Sequence, residues 1–554
     1  MEQEKKKRKF LSCFDKNLEE PLESEKVLDR FLKWFDSNKK LAFIITLIVG
    51  IITHISMLTD IIMSQDGLWN SLEYSRPGEF EMTLGRWGIE LIQRFNFFMA
   101  IPTVSTISCI LITAITAVII VDLFDFKNKF SIIITSLILA VSPVLTVTLL
   151  YIYTAFAYCC NLLISALVIW FIYKFKNKKV GIVISTLLFT LSLSIYQSYI
   201  GVSIGLCIMM AVLELIRDEK SVKDVFINVG KTVATVLVGG LLYYVITKIL
   251  LKINGLELAS YKDINTFSIK DIFMNLGITI PNCYKDFWNF FMRNNIFYNT
   301  NYRRELFYGA FLVVSFIGII SAVTSIKNNK VLKTILAVIF VLVLPIGLNV
   351  IDILVVSNEM YALTSAQMLL VIPFSFAIME RLNKFTFMKW IAILSCFYII
   401  ASYYVADNTS YTSLKMRYNQ ANAVAIRMME KMERTEGYDR NMPICVVGII
   451  GDNNYPQVGN IYQYTLGSVF KNPIFHGSYD GSQGTLHNFL RIYLGEDVKF
   501  CDSETYEKIV RSEEINDLTD FPNEGCTAII ENTLVIKLSN YIPLPNGTLL
   551  YQEY

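Results

Sequence analysis

The sequence predicts an all-α polytopic membrane protein of about eleven transmembrane helices, followed by a small C-terminal α/β domain. Three observations lead there. Of the 554 residues, 53% are hydrophobic and only 18% are charged. Apolar runs of about 20 residues recur, each long enough to cross a hydrocarbon core of about 30 Å. The charges are segregated by loop, so the net charge of +2 says little alone.

The elements follow in chain order. Residues 1–40 read as a cytoplasmic segment beginning "MEQEKKKRK", without the short apolar core and cleavage site of a signal peptide. Within "LESEKVLDRFLKWFD", residues 22–36, Leu28, Phe31, Leu32 and Phe35 recur at helical spacing. That pattern fits an amphipathic helix lying on the inner membrane surface, with a solvated linker as the alternative. The membrane part, 41–405, carries expected spans at 41–62, 101–122, 130–150, 155–173, 180–196, 199–216, 232–250, 305–325, 331–350, 360–380 and 388–405. The flanks of 180–216, "KFKNKK" and "RDEKSVK", are both basic. The stretch is therefore a hairpin of two short spans, with "YQSY" at 196–199 as its outer turn. "FKNK" at 126–129, "KNNK" at 327–330 and "ERLNKFTFMK" at 380–389 fall on the same side, which the positive-inside rule makes the cytoplasm. Outside are then 63–100, 151–154, 251–304, 351–359 and the tail after about 405.

Two outer regions exceed simple connectors. Residues 251–304 are aromatic-rich, which favours helices at the headgroup level. Residues 406–554 read as a soluble extracytoplasmic domain, with short apolar strands in 443–451 and 526–539 and a helix over 503–515. Its Cys445, Cys501 and Cys526 allow at most one disulfide. The ten Cys of the chain lie mostly in apolar runs, and with three His in all a His-built metal site is not expected; no cofactor is indicated, and a divalent metal stays open. "GDNNYPQ" at 451–457 lacks the glycine spacing of a nucleotide loop. No basic stripe with interleaved aromatics points to nucleic acid.

The segment "SQDGLWNSLEYSRPGEFEMTLGRWGIELI", 64–92, sets Asp66, Glu73, Glu79, Glu81 and Glu90 at the mouth of the first span, with Arg76, Arg86 and Arg94 close by. "LGRWGIELIQRF" reads as a helix start in which Arg86 and Glu90, four apart, share a face. Group transfer to a sugar hydroxyl needs a base, and a carboxylate at a partly desolvated mouth can have its pKa raised into the working range. An arginine fork suits a phosphate leaving group. An ordinary polar loop would hold the same residue types.

Asp66-Gly67, "GRW" at 85–87, "YQSYIG" at 196–201 and the span layout resemble the GtrII family of membrane glucosyltransferases, and through it the wider GT-C class. The resemblance covers roughly residues 40–405 and fades in the tail. It implies a GT-C-like helical core that moves a hexosyl unit from a polyprenyl-phosphate donor to a cell-surface glycan. It also implies an acidic catalytic residue in the first outer loop. Asp66 matches that position best and Asp60 second. Directly adjacent paired acids, found in some GT-C members, are missing here, which speaks against a metal-bridged mechanism.

Each candidate has a second reading. Asp66 is a general base or a helix cap, and Asp60 a base or a buried hydrogen-bonding group. Arg86 and Arg94 bind donor phosphate, or Arg86 merely pairs with Glu90. Glu73 and Glu81 orient acceptor or are solvated. Tyr196, Gln197 and Tyr199, at an outward-facing tip, offer sugar-binding groups or simply make a polar turn. Asn349, Asp352, Asn358 and Glu359 gather near another outer turn. The main rival function is a transporter or flippase of lipid-linked sugars, which predicts charges deep in several spans and inverted repeats. A non-catalytic assembly protein is the other.

Overall fold

The computed structural model describes residues 23–70, 76–259, 269–293, 302–355, 360–382, 386–450 and 479–551. Glu73, Asn358, Glu359 and the 451–457 stretch lie outside them. Most of the described chain is helical, and nine of its helices are long and apolar enough to cross a membrane.

Helix α1, Glu23–Trp34, is the expected amphipathic one, with Leu28, Phe31 and Leu32 exposed. The expected first span is two helices, α2 (Ser37–Thr53) and α3 (Ile55–Thr59). The break falls at His54, whose buried ring bonds outward, Nδ1 to Tyr411 Oη at 2.8 Å and Nε2 to the Ala140 carbonyl at 3.0 Å. Short helices α4 (Gln65–Trp69), α5 (Glu79–Thr83) and α6 (Gly88–Gln93) fill the first loop. Helix α7 (Pro102–Phe124) starts with proline at its first position, where the missing N–H costs nothing. The 130–150 run is also split, into α8 (Lys129–Ala140) and α9 (Pro143–Leu150), with Ser142 as the cap of α9 and Pro143 as its first residue. Then come α10 (Ala155–Tyr173), α11 (Lys178–Ile195) and α12 (Ile200–Arg217), the last two joined by a single 3₁₀ turn at Gln197–Tyr199. The expected hairpin is thus present.

Helix α13 (Val222–Asn254) borders the bundle and exposes Leu237, Leu241 and Tyr244, as a lipid-facing helix does. Helix α14 (Ile269–Trp288) lies in the aromatic region, followed by α15 (Tyr302–Thr324), α16 (Lys330–Leu348) and α17 (Val350–Leu354). Asn349 joins α14 to α16 by donating to the Cys283 carbonyl at 2.8 Å. The 360–380 run is a pair of 3₁₀ turns, Ala362–Thr364 and Ala366–Leu370, leading into α18 (Val371–Met379). This run is buried from Ala362 through Met379.

One end of the bundle collects the basic loops. There Lys39 pairs with Asp122 at 3.0 Å, Arg217 donates to the Phe124 carbonyl at 2.7 Å, and Lys333 pairs with Asp218. Glu380 accepts from the Lys127 and Asn128 amides. The first loop, residues 151–154 and the 196–199 turn lie at the other end.

Helix α19 runs unbroken over Thr386–Glu433, so the expected boundary at 405 is no break in the chain. Its 48 residues contain neither Gly nor Pro and extend about 72 Å, more than twice the hydrocarbon thickness. Beyond it, β1 (Ile444–Val447) pairs in parallel with β3 (Thr533–Lys537), which pairs antiparallel with β2 (Thr527–Ile530). The β2–β3 turn sets Glu531 and Asn532 at φ 50° and 57°, the left-handed pair that matches hairpin twist. Helices α20 (Tyr479–Phe489), α21 (Ser503–Val510) and α22 (Glu514–Asp517) complete the tail with the hairpin β4 (Tyr541–Pro543) and β5 (Leu549–Tyr551).

Candidate active site

Two glycines place the Leu84–Gly88 segment. Gly85 has φ +72°, and a Cβ there would lie 2.3 Å from Tyr243 Oη. At Gly88 a Cβ would lie 2.1 Å from Ser194 Oγ, so the chain can press against the end of α11. Gln197 Nε2 donates to the Leu84 carbonyl and to Tyr243 Oη, both at 2.9 Å. Trp87 Nε1 donates to Thr247 Oγ1 at 3.0 Å. Gln197 therefore ties α13 and the loop together.

Of the two readings of Arg86, this geometry removes the pairing with Glu90. Helix α6 begins only at Gly88, because Gly85 turns the chain left-handed ahead of it. Arg86 thus precedes the helix. Glu90 instead accepts from Arg76 at 2.8 Å and from Arg94 at 3.1 Å. Burial pushes the Glu90 carboxyl up, but Arg94 and Arg76 outweigh it and hold its pKa below the usual range. Arg94 is mostly exposed and committed to that pair.

Arg86 has no carboxylate within ion-pair distance among the described residues, and its buried Nε has no hydrogen-bond partner there. Its guanidinium carbon lies 4.7 Å from the centroid of the Tyr196 ring. Tyr158, Tyr196, Tyr361 and Tyr153 all lie within reach of its charge. Tyr196 stacks on Tyr158 at 4.8 Å and shares a hydroxyl hydrogen bond of 2.7 Å with Tyr361. The tyrosines of the 196–199 turn are buried: Tyr196 and Tyr199 are 5% and 4% exposed. Tyr153, Tyr158 and Tyr361 were not singled out from sequence. "YIYTAFAY" at 151–158 carries an aromatic signal at an expected outer turn, whereas nothing local marks Tyr361.

Acids lie near the same cluster at Tyr153. Burial raises the Tyr153 phenol pKa, and Tyr158, Asp66 and Glu81 push it further the same way. Asp66 and Arg86 are thus both electrostatic neighbours of one phenol. Asp66 is exposed in the first turn of α4, which is capped by Ser64 Oγ accepting from the Gly67 amide at 3.2 Å. Ser64 is itself anchored, its amide and hydroxyl both donating to the Leu150 carbonyl. Glu81 accepts from the Gly78 amide at 2.8 Å and so caps α5. Asp60 pairs with Lys415 of α19 at 2.8 Å.

That last contact belongs to a set made by α19 and the tail on residues 60–70. Tyr418 Oη donates to the Met63 carbonyl at 2.9 Å, and Tyr493 Oη to that of Ile61. Asn488 Nδ2 donates to the carbonyls of Leu68 at 2.6 Å and Trp69 at 3.2 Å. Gly484 packs on the Trp69 ring, where a Cβ would lie 3.0 Å from Cζ3.

Nine apolar helices with a polar, tyrosine-rich site at one end define a multi-pass membrane protein. The family model described as Glucosyl transferase GtrII matches residues 55–378, more than half of the chain, and the chain belongs to that family. It is accordingly a glycosyltransferase of the membrane. No curated protein and no solved structure matches it. The matched region contains Asp60, Asp66, Arg86, Tyr196 and Tyr361 and ends before α19 and the tail.

Proposed function

We propose that the protein moves a hexosyl unit, glucosyl by family, from a polyprenyl-phosphate donor to a cell-surface glycan on the outer face of the membrane. The observation that carries this reading is Arg86, a caged guanidinium with no anionic partner among the described residues. An unneutralised cation at a half-buried site favours a ligand that brings negative charge. The basic loops at the opposite end of the bundle support an outward-facing site by the positive-inside rule.

In this reading the donor enters laterally, its tail in lipid and its phosphate on Arg86. Arg94 serves the phosphate only if it leaves Glu90. Asp66 takes the proton of the acceptor hydroxyl as that oxygen attacks the anomeric carbon. The carbon–oxygen bond to phosphate breaks, the phosphate keeps the electron pair, and the configuration inverts. Tyr196 and Glu81 flank the sugar, while Gln197 holds the loop that carries Arg86. Asp60 acts as a tether to Lys415 rather than as a base. Arg86 offsets the negative charge that develops on the leaving phosphate, so the mechanism calls for no metal or other cofactor.

The test is Asp66→Asn in purified protein supplied with polyprenyl-phosphate-glucose. Transfer falls by about 10²–10⁴-fold while donor binding persists. Undiminished transfer in that variant removes Asp66 from the mechanism.

A further inference from the structure

The tail contains a cleft of about 640 Å³ whose walls include Arg440, Asn441, His487, Asp497, Lys499 and Phe500. None of these residues lies in the part of the chain matched by the family. The volume falls within the range of small-molecule sites, but the lining does not fit an apolar ligand. It offers an ammonium, an amide, a carboxylate and an imidazole around one aromatic ring, with the Arg440 guanidinium held by Glu496 at 2.6 Å. His487 Nδ1 bonds the Val498 carbonyl at 3.0 Å, so that nitrogen carries a proton, and the ring meets Phe500 edge-on with centroids 6.0 Å apart. The lining thus holds both donors and acceptors, which suits hydroxyl groups, since each hydroxyl both donates and accepts. A simple anion would meet Asp497, and a simple cation would meet Lys499 and Arg440.

The place of the cleft gives it a purpose. Gly484 also lines it, and the same glycine packs on the Trp69 ring. Trp69 follows Asp66 by about one helical turn in α4. One turn of α20 beyond Gly484, Asn488 holds the last carbonyls of α4. The cleft and the helix bearing Asp66 therefore share a wall.

We propose that this cleft is a saccharide subsite that holds the acceptor glycan beside the Asp66 helix. The identity of the ligand as acceptor rests on the glycosyltransferase reading above; the recognition of a saccharide rests on the cleft itself. The test uses surface glycan prepared from cells that lack the protein, freed of lipid and titrated calorimetrically against the full-length protein in detergent. Asn441, Asp497 and Lys499 are exposed, so N441A/D497A/K499A leaves the core of the tail intact, which an unchanged melting temperature verifies. The expected result is saturable binding to the wild type, weakened at least tenfold in the triple variant, with a matching rise in KM for glycan. Equal binding by both proteins, or none by the wild type, overturns the proposal. Donor turnover by the wild type in the same preparation tests the glycosyltransferase reading separately, so one can fail while the other stands.

Discussion

Replacing Arg86 by glutamine separates a binding role from a structural one, because the structure says what the fold stands to lose. No ion pair is broken among the described residues, and no buried carboxylate is left without a partner. The loss on folding is the contact over Tyr196 at 4.7 Å, about 1–2 kcal/mol for a desolvated pair. In a chain of this size that moves the melting temperature by only about 1–2 °C. The loss in the reaction is larger. A positioned charge that meets developing negative charge is worth about 3–4 kcal/mol, or about 10²–10³ in kcat. Arg86→Lys retains the charge but not the fork and falls between. The assay is release of polyprenyl phosphate from labelled donor by purified protein, with a melting curve for each variant. A glutamine variant that keeps its kcat within about threefold of wild type refutes the phosphate role. One that loses activity and melting temperature together shows Arg86 to be structural.

Other outcomes follow from the same geometry. Gly85→Ala forces a side chain into the left-handed region, costing about 1–2 kcal/mol, and drives its Cβ into Tyr243 Oη. Activity should fall about 10²-fold as Arg86 shifts, and Tyr243→Phe in the same chain should restore part of it. Asn488→Ala removes the tail's grip on Leu68 and Trp69; hydrogen exchange at residues 64–70 should quicken while donor binding holds. Glu90 has a folded pKa below its unfolded one, so its pair contributes stability above the unfolded value of about 4.3 and loses it as pH falls through the folded value. Glu90→Gln should flatten that part of the acid melting profile, by less than about 1 kcal/mol because both arginines are largely exposed.

Hydropathy and charge made the helical membrane part legible, but three apolar runs proved discontinuous. In 130–150 the signal was present, a serine cap followed by proline at the first helical position. In 41–62 it was not: His54 finds its partners 86 and 357 residues away, and no local pattern announces them. At 405 hydropathy drops while helix-forming residues continue, so the boundary that composition suggests falls inside one helix. Arg86 was legible as a residue type, but the sequence left its pairing with Glu90 open as an alternative. The helical period does not extend through Gly85, which has a positive φ and lies against Tyr243 of α13.

The candidate site joins two independently supported parts. Arg86 is fixed by membrane helices, through Gly85 against Tyr243, Gly88 against Ser194, and Gln197 on the Leu84 carbonyl. Asp66 sits on α4, whose five residues are far too few for a helix to persist alone. Its order is supplied from the ends: Ser64 on Leu150 at the start, Asn488 and Gly484 of the tail at the finish. The proposed base therefore depends on contacts more than 400 positions away in sequence, while the proposed phosphate site does not. That asymmetry explains why short motifs could point to Arg86 and Asp66 together yet give no hint that the tail helps to hold one of them.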